Sequence, residues 1–186
     1  MDFQELITSR QSIRSFSQQA LSDEVILEMQ QAARLAPSWQ NKQCWRFVFV
    51  DDKALIRQLA LHSGLLSKAN FFIKDAPLVV VACAYPEQSG KLNQQDYYLV
   101  DTAIAFQQMM LAAWNKGVGS CWLGSFHFDK VRQILDIPSD VKIVALSPFG
   151  YPAAKTKIYD KMIKKIAKSK QRKARAEIFC QNSWNF

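Results

Sequence analysis

The chain has 186 residues, of which 49% are hydrophobic and 12% aromatic, and it carries a formal net charge of +8. This length and composition predict one packed globular domain that needs neither disulfides nor metals to bury its core. No apolar run reaches the roughly 18 residues of a membrane span, and the N-terminus lacks the basic and apolar stretches of a secretory signal. We therefore expect a soluble, cytoplasmic protein.

The first part of the chain predicts a helix, a polar loop and a strand. Ser22 is a good N-cap for a helix that runs to about Ala36, because its hydroxyl can accept a hydrogen bond from the first turn. Pro37 breaks this helix and opens a loop over residues 37–43 that is polar yet rich in aromatic side chains. The apolar residues 47–50 that follow predict a strand.

The middle of the chain alternates helices with apolar strands. The longest predicted helix covers residues 97–116, is apolar on most of its faces and ends at Gly117, so we expect it to be central. The other predicted elements are a helix over residues 53–62, a buried strand over 77–84, a strand-like connection over 120–124, a helix over 129–136 and a strand over 141–146. This alternation predicts layers of helix and sheet, with both sheet faces covered.

The positive charge is concentrated near the C-terminal end. Ten of the 24 Lys and Arg residues lie between Ala153 and Arg175 together with one Asp, which leaves 14 basic and 15 acidic residues elsewhere. The body is therefore close to neutral. A basic segment of this kind can bind nucleic acid or anionic lipid, can be solvated, or can supply cations to an anionic ligand held by the body.

Several common site chemistries are disfavoured. A dinucleotide-binding fingerprint is absent, because Gly117 and Gly119 are followed by Trp122 where the third glycine would stand. His62 and His127 are the only histidines and lie far from any cysteine or carboxylate pair, which disfavours a zinc site or a histidine-based triad. Four widely spaced cysteines among apolar or aromatic neighbours favour reduced, packed thiols: Cys44, Cys83, Cys121 and Cys180.

Two segments carry side chains that invite a functional interpretation. Residues 10–14 place two guanidinium groups and a hydroxyl within five positions, and such groups bind phosphate oxygens, although alone the cluster is more often a solvated surface. In the loop after Pro37, Ser38 and Asn41 can merely shape a turn. Trp39 and Trp45 can likewise be core anchors.

In its combination of motifs the chain resembles the FMN-dependent nitroreductase family. That family shows an R-x-S-x-R-like start, an A-P-S-x-x-N-x-Q-P-W-x-F loop and a K-x-R element before an E-I-V-like stretch. Here these stand at residues 10–14, at 36–47, and at 170–172 ahead of 177–179. Residues 117–124 also resemble the family's segment after the central helix, so the likeness covers nearly the whole chain in order.

The resemblance implies an α+β nitroreductase-like fold. It has a central mixed, mainly antiparallel sheet flanked by helices, a long central helix and an extended C-terminal segment that wraps the partner subunit. Residues 1–186 would form one FMN-binding domain, with 153–186 as a basic extension.

The resemblance further implies that non-covalent FMN lies at the interface of a homodimer, with no role for nucleic acid, membrane or metal. Hydride would pass from NAD(P)H through flavin N5 to nitroaromatic, quinone or similar acceptors in ping-pong turnover, without a catalytic protein residue.

The resemblance also implies which residues bind the cofactor. The flavin phosphate would be held by Arg10, Gln11, Ser12 and Arg14 together with Lys170 and Arg172 of the basic tail. Residues of the other subunit would reach the isoalloxazine or the ribityl chain, namely Pro37, Ser38, Trp39 and Asn41. The flavin edge would be lined by Trp122, Leu123 and Gly124, whose backbone donors can meet N5 or O4.

The chain departs from the family pattern at two points. Cys44 replaces the usual loop proline, which frees φ and adds a backbone donor. The tail contains more lysine than a simple linker requires, so Lys155 and Lys157 compete with Lys170 for the role of binding the phosphate.

Two other functions remain open: a family branch with dehalogenation, flavin-fragmentation or ring-oxidation chemistry, and nucleic-acid binding by the tail. The sequence identifies neither the acceptor nor the preference between NADH and NADPH.

Overall fold

A computed structural model describes residues 1–64, 70–154, 160, 165 and 171–184. It divides the chain into two units, Met1–Ala154 and Lys155–Phe186. Among the residues described, no helix is long and apolar enough to cross a membrane. The boundary between the units lies two residues after the predicted start of the basic extension at position 153.

The first unit is built on a four-stranded antiparallel sheet. Six strands occur in its described part: β1 (Trp45–Val50), β2 (Leu78–Ala84), β3 (Lys91–Leu92), β4 (Gln95–Asp96), β5 (Gly119–Ser120) and β6 (Lys142–Gly150). The sheet order is β1-β2-β6-β5, while β3 and β4 form a separate hairpin. The two central residues of that hairpin turn are Asn93 and Gln94. Both have positive φ (51° and 64°), the geometry of a tight two-residue turn.

Five α-helices surround the sheet in the described part of this unit. They are α1 (Phe3–Ser9), α2 (Asp23–Arg34), α3 (Lys53–Leu61), α4 (Tyr97–Asn115) and α5 (Phe128–Ile134). Short 3-10 turns occur at Trp39–Asn41, Phe71–Asp75 and Pro86–Gln88, and in the second unit at Arg175–Glu177. The Ser22 cap is confirmed, because its Oγ accepts from the Val25 N–H at 3.4 Å.

The central strand β2 separates two apolar layers. Its residues are all buried and alternate between the layers. Val79, Val81 and Cys83 pack into one cluster with residues of α3 and α5. Leu78, Val80 and Ala82 pack into the other, with residues of α2 and α4. The prediction that both sheet faces are covered is therefore confirmed, as is the α+β fold, although every strand pair described in this sheet is antiparallel.

The last strand is longer than its sequence predicts. A strand over residues 141–146 is expected to stop before Pro148, yet β6 continues to Gly150. Pro148 is paired opposite Val79 of β2, and Phe149 is paired with both β2 and β5. Pairing on two sides therefore overrides a local strand breaker.

Candidate functional site

The arginine-containing segment, residues 10–14, is fixed beside β5. Ser12 forms a parallel bridge with Ser120, and the Ile13 N–H donates to the Ser120 carbonyl at 2.9 Å. Ile13 is buried, whereas Ser12 and Arg14 on either side of it are half-buried. Since side chains alternate along an extended chain, Ile13 anchors the segment to the core while Ser12 and Arg14 face the other way.

Arg10 begins this segment at the end of α1. It is the C-cap residue of that helix, and its N–H donates to the Leu6 carbonyl at 3.2 Å. Arg10 is two positions before Ser12, so the alternation of side chains puts it on the same side of the segment as Ser12 and Arg14. Gln11 is exposed. The segment thus presents two guanidinium groups and a hydroxyl at one edge of the sheet, a donor set that suits an anion with several oxygens.

The chain that leaves β5, residues 121–124, continues the same edge. Leu123 is buried and is paired with Leu146 through two backbone hydrogen bonds of 2.8 and 3.0 Å. The Cys121 N–H donates to Ser147 Oγ at 3.2 Å. In the part of the chain that the structure describes, the N–H groups of Trp122 and Gly124 donate to no protein acceptor. The backbone donors left for a ligand here are therefore those of Trp122 and Gly124, and Leu123 supplies none.

Trp122 and Gly124 are also accessible. The Trp122 side chain is 38% exposed and lies against Phe106 of α4, with ring centroids 5.2 Å apart. Gly124 is exposed, and a Cβ added there would meet no atom within 4 Å. An aromatic plane, two available N–H groups and open space beside a glycine form a surface on which a flat, polar-edged ligand can lie.

The loop over residues 37–43 has an unusual backbone. Three of its non-glycine residues, Gln40, Asn41 and Gln43, have φ values of 48°, 58° and 50°. Such left-handed backbone is unfavourable for residues that carry a Cβ atom and persists where surrounding contacts hold it. Ser38 contributes one such contact, because its Oγ accepts from the Gln43 N–H at 3.0 Å.

A buried carboxyl group fixes both ends of this loop. Asp101 of α4 is 2% exposed, and its Oδ1 accepts from the Trp39 N–H at 2.9 Å. Its Oδ2 accepts from Ser89 Oγ at 2.9 Å and from Cys44 Sγ at 3.7 Å. Neither Asp101 nor Ser89 is predicted as a site residue from the sequence. A signal was present, because Asp101 is the only charged residue within α4.

The Trp39 ring packs against Tyr97 and against the backbone of Gly90. Its ring lies 4.3 Å from that of Tyr97, and a Cβ at Gly90 would come within 2.5 Å of its Cε2. The residue is only half-buried. Trp45 is 7% exposed within the apolar cluster, so the core-anchor interpretation holds for Trp45.

The cysteines divide into two groups. Cys44, Cys83 and Cys121 are buried and not disulfide-bonded, as expected, whereas Cys180 is exposed, so packing was wrongly predicted for it. Burial raises the pKa of the Cys44 thiol, and the negative charge of Asp101 raises this pKa further, against a hydrogen bond from Ser89. Burial also raises the pKa of Cys83 to about 12. At neutral pH Cys44 is therefore a protonated donor to Asp101, not a nucleophile.

One chain brings together two of the four predicted site segments. Residues 10–14 and 121–124 meet at the β5 edge of the sheet, while the 37–43 loop leads into β1 at the opposite edge. Two strands lie between β1 and β5, a separation of three strand spacings, or about 14 Å. The loop therefore lies beside a different sheet edge from the arginine-containing segment of its own chain.

Of the two cofactor-binding residues predicted in the tail, the structure describes only Arg172. Lys170, and also Lys155 and Lys157, lie outside the residues that the structure describes. Arg172 is exposed, and its Nη1 donates to the Gln171 carbonyl at 2.8 Å. Within the described ranges no group of three or more His, Cys, Asp or Glu side chains could hold a metal ion.

Known proteins match most of this chain. The model of the nitroreductase family matches residues 7–151. An Archaeoglobus fulgidus protein with the name putative NADH dehydrogenase/NAD(P)H nitroreductase is 31% identical over an alignment of 161 positions, and the match covers 83% of this chain and 88% of that protein.

Two solved structures share the fold. A nitroreductase family protein from Clostridium novyi NT is 35% identical with a TM-score of 0.80, and the match covers 87% of this chain and 91% of that one. An FMN-dependent nitroreductase from Clostridium difficile R20291 is 25% identical with a TM-score of 0.78, and covers 98% of this chain and 100% of that one.

Proposed function

Because this chain belongs to the nitroreductase family, we propose that it is an FMN-dependent NAD(P)H oxidoreductase that reduces nitroaromatic, quinone or similar flat acceptors. FMN, when bound, supplies hydride transfer through its N5 atom between the donor and the acceptor in turn. The protein's own residues have to bind the cofactor, orient it and exclude water. No protein nucleophile is required.

The observation that carries this proposal is the contact between the arginine-containing segment and β5. The Ser12–Ser120 bridge brings Arg10, Ser12 and Arg14, a donor set suited to phosphate, next to the accessible surface formed by Trp122 and Gly124, and this arrangement supports the proposal. FMN has the same two parts, a phosphate dianion and a flat ring with polar edges. The residues present therefore fit the cofactor that the family membership implies.

At the phosphate end, Arg10, Ser12 and Arg14 would donate to the phosphate oxygens, with Gln11 beside them. Charge-assisted hydrogen bonds from guanidinium groups to phosphate are among the strongest in proteins. We further propose that Lys170 and Arg172 of the tail add two cations. Neutralising a dianion in this way accounts for a basic tail on a nearly neutral body without nucleic acid.

At the ring end, the N–H groups of Trp122 and Gly124 would donate to the polar edge of the isoalloxazine. The Leu123 N–H is already bonded to Leu146, so Leu123 contributes through its apolar side chain. The Trp122 ring, supported by Phe106, would shield the ring edge from water. Nicotinamide and acceptor would use the remaining open face in turn, which explains the missing dinucleotide fingerprint.

We propose that a second copy of the chain completes the site. Its 37–43 loop would bring Pro37, Ser38, Trp39 and Asn41 to the flavin, since within one chain this loop lies at the opposite sheet edge. Two helices in contact with each other, α1 and α4, expose large apolar side chains that a second copy can cover: Phe3, Ile7, Leu99, Val100 and Ile104. In the tail, Phe179 and Trp184 are 68% and 88% exposed, which suits a segment that wraps a partner subunit.

The test is the absorbance spectrum of the purified protein, recorded anaerobically before and after addition of NADH or NADPH. Flavin bands that bleach with either nucleotide and return with a quinone support the proposal, and the faster donor identifies the coenzyme. Bound flavin that stays oxidised would point to the branch of the family with other chemistry. Failure to take up added FMN, combined with salt-dependent binding of DNA or RNA, would replace the proposal with a nucleic-acid function.

A further inference from the structure

We propose that Asp101 is a positioning residue that holds the 37–43 loop in the conformation in which its side chains reach the ligand. This inference rests on the proposed function for its consequence, FMN binding. The conformational part stands on the contacts of Asp101 alone. Asp101 itself would touch neither cofactor nor substrate.

The two carboxyl oxygens of Asp101 accept hydrogen bonds from different segments. Oδ1 accepts from the Trp39 N–H at the start of the 3-10 turn, at 2.9 Å. Oδ2 accepts from Sγ of Cys44, the residue that follows the loop, and from Ser89 Oγ beside the Pro86–Gln88 turn. One buried side chain on the rigid helix α4 thus connects both ends of the loop to the segment that precedes the β3–β4 hairpin.

The backbone between these two ends is the part that needs support. Gln40, Asn41 and Gln43 all have left-handed φ, although none is a glycine. The hydrogen bonds from the Gln43 side chain to Asn41 and from the Gln43 N–H to Ser38 connect loop residues to one another. The Gln43 carbonyl also accepts from Arg46 Nη1 of β1 at 3.2 Å. Asp101 connects the loop to a helix whose inner face packs in the core, and so it selects this conformation over the others open to a seven-residue polar segment.

A carboxyl group is the side chain that this position requires. All three of its partners are donors, so a side chain with two acceptor oxygens satisfies them together. The third donor depends on Cys44, which stands where the family pattern has a proline without a thiol. The raised pKa of Cys44 keeps that thiol protonated and able to donate.

The test measures the loop directly in the protein without added cofactor. Hydrogen exchange of the Trp39 N–H and tryptic cleavage after the exposed Lys42 both report opening of the loop, while exchange in β2 reports unfolding of the core. Asp101→Ala removes three hydrogen bonds, and the loss of the one from the Trp39 N–H to a charged acceptor alone predicts that exchange and cleavage in the loop accelerate by about tenfold or more, with β2 unchanged.

Two further variants separate positioning from general stability. Asp101→Asn keeps an oxygen for the Trp39 N–H, so its loop should open less than that of Asp101→Ala. Ser89→Ala removes a bond of the same length to the other oxygen of Asp101, and its Trp39 exchange should stay close to wild type. Equal acceleration in the loop and in β2, or no acceleration at Trp39, would overturn the proposal. If Asp101→Ala does not fold, the same comparison in Asp101→Asn decides.

FMN binding then gives the functional result. We expect the FMN dissociation constant to rise in the same order as loop opening, from wild type and Ser89→Ala to Asp101→Asn and Asp101→Ala. A wild-type protein that binds no FMN would defeat the proposed function but leave the loop measurement intact. A loop that opens in Asp101→Asn with unchanged FMN affinity would overturn the role of Asp101 in ligand positioning.

Discussion

Ile13 packs directly on the backbone of Gly119. A Cβ atom at position 119 would lie 2.4 Å from Cγ1 and 2.7 Å from Cβ of Ile13, closer than real Cβ contacts occur. This contact, with the adjacent Ser12–Ser120 bridge, determines where Arg10 and Arg14 stand relative to the chain that follows β5. The placement of the proposed phosphate site therefore depends on the absence of a side chain at a single position.

Replacement of Gly119 by alanine should disturb both stability and cofactor binding. The added methyl group must push Ile13 away, and overpacking of a well-packed core costs about 1–3 kcal/mol. Because the arginine-containing segment moves with Ile13, we expect weaker FMN binding as well. Urea unfolding and a titration of flavin fluorescence measure the two effects. Unchanged FMN affinity in a destabilised Gly119→Ala protein would show that this contact does not position the phosphate site.

Replacement of Gly124 by alanine is the matched comparison. A Cβ there meets no protein atom within 4 Å, so the free energy of unfolding without FMN should stay within about 0.5 kcal/mol of wild type. If the flavin ring lies against Gly124, the same methyl group should weaken FMN binding or raise the KM for a quinone. A Gly124→Ala protein with wild-type stability and wild-type kinetics would place the ring elsewhere.

Removal of the Arg14 guanidinium should reduce the preference for FMN over riboflavin. A phosphate contact acts on FMN and not on riboflavin, and a hydrogen bond to a charged group contributes about 1.5–3 kcal/mol. Arg14→Ala should therefore weaken FMN binding by roughly ten- to hundredfold and leave riboflavin binding unchanged. Arg57→Ala, an exposed position on α3, is the control. Equal weakening of both ligands would argue for a structural role of Arg14.

Cys83 should make the fold sensitive to high pH. Burial raises the pKa of its thiol from 9.0 to about 12, with Arg132 acting in the opposite direction. The folded state therefore holds this proton more tightly than the unfolded state, so the stabilisation is complete below pH 9 and is lost as the pH rises towards 12. Between these values the thiol contributes a slope of about −1.4 kcal/mol per pH unit to the unfolding free energy.

Chemical unfolding of wild type and Cys83→Ala at a series of pH values measures this contribution. The variant should lose stability less steeply above pH 9, and Cys180→Ala, at an exposed thiol, should follow wild type. Parallel curves for wild type and Cys83→Ala would mean that the thiol ionises with its ordinary pKa in the folded state.

The sequence predicts the elements of this fold better than the positions at which they end. Local signals sufficed for the helix after Ser22 and for the helix that ends before Gly117, whose φ of 75° is left-handed. The extension of β6 through Pro148 was missed because two neighbouring strands pair with it there. Such pairing is a tertiary effect that no local pattern contains.

The candidate site, too, could be predicted only in part from the sequence. The arginine-containing segment and the loop after Pro37 could be picked out as motifs, because their residue types suit an anionic, aromatic ligand. Their relative placement could not, since it follows from the strand order and from the Ile13–Gly119 contact. Asp101 was missed for a related reason: a single acidic residue in an apolar helix signals a buried partner, but its partners lie 12, 57 and 62 positions away.

The central claim is that one FMN site combines the arginine-containing segment of one chain with the 37–43 loop of another. Mixed dimers test it: one chain carries Arg14→Ala, the other carries Ser38→Ala with Asn41→Ala, and differently tagged chains allow the heterodimer to be purified. We predict little FMN in either homodimer and a heterodimer that binds FMN with wild-type affinity at half of its sites, because one site then has both segments intact. A heterodimer without such a site would contradict the claim and show that both segments serve the same chain.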